Sequence, residues 1–297
     1  MTELLRACRP ELEIRSLEYL AGGDFCHAYV LNRHQVVRIP KHEEAAGALA
    51  REACLLAEIA HRLPVAVPLP TYVRCAASMH ASFAVHERIH GRELTRDLWQ
   101  GLPEAARTHL ARALGGFLQA LHALNVGVGH ACGLPLVDHR AQVERLQQRM
   151  RAEPGSLLPE SMRTALADCL GRSLAGGVAW RYEPALLHAD VGPGHVLVDV
   201  EQGDITGVID WGDAAIGDPA RDFIFLYEDW GSDFLDSALD GYGLETKQAL
   251  LPRVLVRYLA DQLEWTLKAG EERRAYDLEH GVAALRQAVR DFEASAA

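Results

Sequence analysis

"LLHADVGPGHVLVDV", residues 186–200, sets His188, Asp190 and His195 around two glycines and a proline, directly after an apolar run. Three chemistries use such a segment: a metal-dependent hydrolase, a phosphoryl-transfer enzyme, or merely a polar turn between buried segments. A zinc site needs three or four ligands and groups that orient them. His188, Asp190 and His195 supply three, but their spacing matches none of the standard zinc patterns. The next segment, "GVIDWGDAAIGDP" (207–219), places Asp210 at the end of an apolar strand, 20 residues beyond Asp190.

Around this motif the chain divides by pattern. Residues 14–39 read as strand, turn, strand, strand, with alternation on both sides of Gly22-Gly23. Residues 43–62 read as a helix stopped by Pro64, and "SFAVHERI" (82–89) returns to strand character. Helical patterns cover 103–124, about 137–152 and 159–175, and "NVGVGHACGLP" (125–135) reads as a loop between them. "DITGVIDW" (204–211) is a strand, and the tail from Pro219 is mostly helical. The expectation is an α+β fold: a β-rich part over residues 1–90, and a larger, mainly helical part over 91–297.

Bulk properties narrow the function. The 297 residues suffice for one large or two modest domains, and 49% hydrophobic with 24% charged residues is ordinary for a soluble globular chain. No secretory signal and no membrane span are visible, so a cytoplasmic protein is expected. Six widely spread cysteines without a CxxC pair read as free thiols, with zinc or disulfides the minor alternative. A net charge of −11 argues against nucleic acid as partner and allows a cationic one. A monomer is expected.

Protein-kinase-like enzymes have a catalytic Asp, a metal ligand five residues later, and a strand ending in a second metal-binding Asp. Here those positions are Asp190, His195 and Asp210. Physics requires one carboxylate to orient a substrate hydroxyl and accept its proton, and other groups to hold Mg²⁺ against a triphosphate. A loop leading into one strand of a hairpin, with the return strand ending beside it, brings them together. The chain resembles the aminoglycoside phosphotransferases of the protein-kinase-like fold, from "LAGGDFCHAYVLN" (20–32) to "DPARDF" (218–223). It looks most similar to the aminoglycoside 2″-phosphotransferases, which carry His at the second metal position and a "DAAI-x-DP…DF" run. Macrolide phosphotransferases share the His and the "GxIDW" element.

The resemblance implies a bilobal fold with a hinge near 87–91, Mg²⁺ as cofactor, and ATP or GTP as phosphoryl donor. Asp190 becomes the catalytic base, His195 and Asp210 the metal ligands, and His188 a brace for the loop. Asp218 is expected to cap the helix opening at Pro219, and Asp222 to tether the catalytic loop. Gly22 and Gly23 occupy the place of a glycine-rich loop over the phosphates, although Gly-Gly is equally a hairpin turn. The third-strand position that normally carries lysine is Arg38, with Lys41 three residues on. These two point to opposite faces of an ideal strand. Either Arg38 contacts the phosphates, which is the favoured reading, or the chain bends at Pro40 and Lys41 swings in. Glu52 fits the acidic partner of this cation. Backbone groups of Glu87, Arg88 and Ile89 are expected to meet the purine edge, with His86 near the gatekeeper position.

Substrate residues lie downstream. "YEDWGSDFLDSALD" (227–240) is acidic, and Glu228 and Asp229 stand where the family's acidic substrate residues occur. Such carboxylates suit a polyamine sugar better than a macrolactone with one amine. Trp265 is either a wall for a sugar ring or a core residue.

Overall fold

The computed structural model describes residues 2–23, 25–74, 82–152, 158–176 and 180–295. After a short helix α1 (Thr2–Cys8), strands β1 (Leu17–Gly22), β2 (Cys26–Leu31) and β3 (Gln35–Pro40) form an antiparallel meander. The β2–β3 turn places Asn32 and Arg33 at φ 52° and 70°. Two successive left-handed residues match the twist of a tight hairpin, and Asn tolerates that region best among non-glycine residues. Strand β5 (Ser82–Glu87) pairs with β3, and β4 (Thr71–Arg74) covers its outer edge, giving the order β1-β2-β3-β5-β4.

Alternation along β3 decides the face of each side chain. Val37 and Ile39 enter a core with Leu5, Leu31 and Phe83, so Arg38 emerges on the opposite face. That face carries helix α2 (Glu43–Ile59), N-capped by the His42 ring at 3.3 Å from the Ala45 amide. Ala45, Ala48, Leu49, Leu55, Leu56 and Ile59 form its buried stripe, and Glu52 falls on the same stripe with 1% of its surface exposed. A carboxylate pulled inside by helical periodicity must find a partner there.

The chain continues through β6 (Arg92–Glu93), α3 (Arg96–Gly101), α4 (Glu104–His122), α5 (Val126–Ala131), α6 (His139–Ala152) and α7 (Glu160–Ala175). Residues 125–135, expected as a loop, contain α5, because Asn125 caps it by accepting the Gly127 amide at 2.7 Å.

Two ribbons then frame the motif. Strand β7 (Ala185–Leu187) pairs with β10 (Ala215–Gly217), and β8 (Val196–Asp199) pairs with β9 (Asp204–Val208) and with β6. Leu187 lies opposite Ala215, and Val196 opposite Val208. Segments 188–195 and 209–214 therefore both cross between the same two ribbons, side by side. A 3₁₀ turn (Pro219–Phe223) leads into α8 (Ile224–Trp230), α9 (Ser232–Tyr242), α10 (Leu244–Glu271) and α11 (Ala275–Ser295). Asp218 caps the 3₁₀ turn at the Ala220 amide, 3.0 Å away.

The expectation of free thiols is corrected. Cys54 of α2 and Cys132, at the end of α5, form a disulfide across 78 residues, and Cys8 is also disulfide-bonded. Packing of α5 against α2 brings together two positions that no sequence spacing relates. Cys26 and Cys169 are free and buried; Cys75 lies outside the described residues. Among the described residues no helix is long and apolar enough to cross a membrane.

Candidate active site

Asp190 begins from a constrained backbone. Ala189 sits at φ 67°, a left-handed conformation unfavourable for a residue with a Cβ. Buried Asp222 holds it there, accepting the Ala189 amide at 2.6 Å and the His188 amide at 3.0 Å. The His188 ring lies beneath the loop, its centroid 4.6 Å from that of Trp211. Its Nε2–H donates to the Ile209 carbonyl at 3.1 Å, and its Nδ1 accepts the Asp190 amide at 3.3 Å. Burial pushes its pKa down to about 4, so the imidazole is neutral with both nitrogens in use. His188 thus ties the loop of Asp190 to the residue preceding Asp210.

His195 returns toward the same loop. Its Nδ1–H donates to the Asp190 carbonyl at 2.7 Å, which directs the Nε2 lone pair toward Asp210 Oδ2, 3.7 Å away. Asp210 stands at φ 63°. Its other oxygen accepts a hydrogen bond from Arg38 Nη2 at 2.7 Å, while Arg38 Nη1 donates to both oxygens of Glu52 at 2.7 and 2.8 Å. Against the penalty of burial, the Arg38 guanidinium holds the Asp210 carboxyl below its ordinary range. Burial moves Asp190 the opposite way, raising its pKa despite the nearby His195.

Of the two candidate cations, Arg38 faces the cleft. Lys41 Nζ donates to the Gly23 carbonyl at 2.5 Å on the exposed side of the β1–β2 turn. Gly23 and Phe25 of that turn line one wall of the cleft, and Asp190, His195, Asp210 and Asp213 line the other. Just after β5, the Arg88 amide donates to the His34 carbonyl at 2.7 Å, so it is directed toward the start of β3 rather than toward a ligand. Glu87 accepts a side-chain hydrogen bond from Gln35 at 2.8 Å. Buried His86 has its Nδ1 2.8 Å from the Glu87 carbonyl.

The donor set of His195 and Asp210 fits a metal that retains outside ligands. Among the described residues no group of three or more His, Cys, Asp or Glu side chains forms a cage. Two protein donors facing one another across the mouth of a polar cleft match the habit of Mg²⁺, which keeps waters and takes phosphate oxygens as further ligands.

Beyond the loop, Asp213 connects this cleft to a second one, also lined by His139, Arg221, Asp261, Glu264 and Trp265. Trp265 is 39% exposed and belongs to this wall, not to a core. Arg221 pairs with Asp261. Glu228 Oε1 accepts from Gln262 at 2.8 Å. The Asp229 carboxylate lies 3.8 Å from where a side chain on Gly192 would begin. Burial raises the pKa of both Glu228 and Asp229. Sequence reading missed Asp213, Asp261 and Glu264. Asp213 carried a signal, three residues after Asp210, whereas the other two are indistinguishable from exposed helical carboxylates until α10 is placed.

Residues 27–255 match the phosphotransferase enzyme family. This chain belongs to that family. The phosphotransferase is also similar to solved structures along nearly its whole length. Against the GDP and kanamycin complex of APH(2″)-IIIa it shows 28% identity and a TM-score of 0.88, covering 98% of both chains. Against the macrolide 2′-phosphotransferase MphH from Brachybacterium faecium it shows 26% identity and a TM-score of 0.72, over 96% of this chain and 97% of that one. A 49-residue segment is 43% identical to the uncharacterized protein YcbJ of Bacillus subtilis (strain 168), spanning 16% of this chain and 15% of that protein. The protein-kinase-like fold and the reaction class of the phosphotransferase, phosphoryl transfer to an alcohol, agree with the expectation from sequence.

Proposed function

We propose that this phosphotransferase moves the γ-phosphoryl group of ATP or GTP to a hydroxyl of an aminoglycoside. The observation that carries the reading is the juxtaposition at Asp213. There a cleft holding Asp190, Arg38, Asp210 and His195 adjoins a second one, lined by Asp261, Glu264 and one exposed tryptophan together with Arg221 and Lys268. Carboxylates recognise ammonium groups, and an indole face packs against a sugar ring. The similarity to a protein solved with GDP and kanamycin supports the same reading.

In this account residues 1–90 form the nucleotide lobe and 91–297 the catalytic lobe, joined near 87–91. Arg38, oriented by Glu52, contacts the α- and β-phosphates. His195 and Asp210 would hold Mg²⁺, which would supply charge neutralisation for the phosphate groups. Asp190 orients the acceptor hydroxyl. As the acceptor O–P bond forms, the γ-phosphorus bond to the bridging oxygen breaks, the nucleoside diphosphate keeps that electron pair, and the hydroxyl proton passes to Asp190. Such a loose transfer depends mainly on positioning and electrostatics.

The similarity to MphH favours a second reading, a macrolide acceptor. Nucleotide turnover with ATP and with GTP, across kanamycin-type aminoglycosides, macrolides, choline and amino-alcohols, separates the two. Selective turnover with aminoglycosides supports the first reading; selective turnover with macrolides replaces it.

A further inference from the structure

Arg221 stands among the carboxylates assigned to the acceptor. It belongs to the 3₁₀ turn Pro219–Phe223, in which successive side chains leave about 120° apart. Asp222 accordingly turns into the core, and Arg221 turns toward the second cleft, where it lines the wall with Asp213, Asp261, Glu264 and Trp265. Its Nη1 donates to Asp261 of α10, and its guanidinium carbon stands 5.2 Å from the centroid of the Phe225 ring. The side chain is 22% exposed, so it is part of the wall and not a solvated surface arm.

The other basic groups of this cleft do not share its place. Lys268 is exposed and reaches Glu272 at 4.0 Å, away from the wall of Asp213 and Asp261. Burial, then Arg257 and Arg221, push the His139 pKa down to about 3, so that ring is neutral. Arg221 stays charged: burial lowers its pKa, but a guanidinium does not give up its proton in a protein. Burial raises the carboxyls of Asp190, Asp213 and Glu228, and the charge of Arg221 pulls each of them back. The guanidinium thus holds Asp261 by contact and faces Asp190, Asp213 and Glu228 through its field. This is the environment in which an acceptor ammonium would otherwise sit.

We propose that Arg221 is a specificity-determining residue: its guanidinium fills a cation's place in the acceptor cleft, so the cleft takes an acceptor with a hydroxyl, and not an ammonium, at the position facing it. An ammonium placed there meets a fixed like charge and has to displace Arg221 from Asp261. A hydroxyl accepts from the guanidinium, or donates to a carboxylate, without either cost. Between the limits of water and a protein surface, such repulsion amounts to on the order of tenfold in affinity. The inference rests on the reading of the second cleft as the acceptor site.

The test uses kanamycins A, B and C, which share one frame and differ only by exchange of amine for hydroxyl at two carbons of one ring; B carries the amine at both. Calorimetric Kd and steady-state KM are measured for wild type, for Arg221→Gln, which removes the charge and keeps an N–H, and for Arg221→Lys, which keeps the charge. In Arg221→Gln, kanamycin B is expected to gain at least about fivefold in affinity over A, over C or over both, relative to wild type. In Arg221→Lys these ratios are expected to stay within about twofold of wild type, and nucleotide KM within about twofold in both variants. Unchanged ratios in Arg221→Gln overturn the proposal. Equal shifts in the Gln and Lys variants also overturn it, because then packing on Phe225, and not charge, decides. Should Arg221→Gln not fold, Asp261→Asn leaves Arg221 in place with one carboxylate fewer. Kanamycin B is then expected to lose at least about threefold against A or C, and unchanged ratios overturn the proposal. If wild type phosphorylates kanamycins and the ratios do not move in Arg221→Gln, only the inference fails. If wild type phosphorylates none while Arg221→Gln gains affinity for kanamycin B, the inference holds and the aminoglycoside reading fails. Absence of kanamycin binding to wild type and to Arg221→Gln overturns both.

Discussion

The guanidinium of Arg38 lies 2.7 Å from the carboxylate of Asp210, 172 residues further along the chain, while its other amino group holds Glu52. One planar, forked cation thus joins the third strand, the α2 helix and the loop after β9. Lysine is a point charge on a flexible stem and lacks the rigid fork that spans both carboxylates here. Arg38→Lys is therefore expected to raise nucleotide KM about tenfold, the scale of one lost charge-assisted hydrogen bond. Acceptor KM should move far less. Steady-state kinetics with each substrate varied check this; an unchanged nucleotide KM removes Arg38 from the phosphate site.

The acidic pair Glu228 and Asp229 predicts an asymmetry between neighbours. The Glu228 carboxylate is engaged by Gln262, whereas that of Asp229 is directed to the loop at Gly192. Asp229→Asn should raise the KM for a polycationic aminoglycoside about tenfold, and Glu228→Gln by less. Nucleotide KM should stay near wild type in both. Unchanged aminoglycoside KM in the double variant places the acceptor elsewhere.

His139 predicts a pH dependence of stability. The residue is 4% exposed and its Nδ1 has no hydrogen-bond partner among the described residues. It feels Arg257, Arg221 and Asp222, and shares a cleft with Asp213, Asp261, Glu264 and Lys268. Burial, then Arg257 and Arg221, push its pKa down to about 3. The native state keeps it neutral, while the unfolded chain takes up a proton below its ordinary value of 6.5. Its contribution to stability is complete above that value and is lost as pH falls from 6.5 toward 3, by up to about 1.4 kcal/mol per pH unit. Denaturation of wild type and His139→Gln between pH 7 and pH 4.5 should show the steeper loss in wild type. Parallel profiles contradict the assignment.

The Cys54–Cys132 bond pins α2, the helix of Glu52, to the end of α5. Closing a loop across 78 residues restricts the unfolded chain by about 4 kcal/mol on an entropic account. Cys54→Ser should lower Tm by ~10 °C. A Tm within about 2 °C of the oxidised protein shows that the bond contributes little.

Legibility in the sequence followed the range of each interaction. Local periodicity showed the β1–β3 meander and α2, and the motif around Asp190 carried the resemblance to the family. Glu52 was readable as a partner for the strand cation only through the resemblance to the family, which places an acidic residue on the helix after β3; its burial became visible only in the fold. The short helix α5 was missed because its glycines depress helix propensity and only the Asn125 cap announces it. Contacts made by folding left no local trace: Cys54 with Cys132, and Arg38 with Asp210. Asp261, Glu264 and Trp265 gained meaning only once α10 ran alongside the loop of Asp213.

The most direct measurement is the mass of an aminoglycoside incubated with the protein, Mg²⁺ and ATP or GTP. The account predicts addition of one phosphoryl group per turnover of nucleotide with wild type. With Asp190→Asn the rate should fall by at least about two orders of magnitude, since the acceptor for the hydroxyl proton is gone while the shape is kept. Nucleotide turnover that leaves the aminoglycoside unmodified, or full activity of Asp190→Asn, contradicts it.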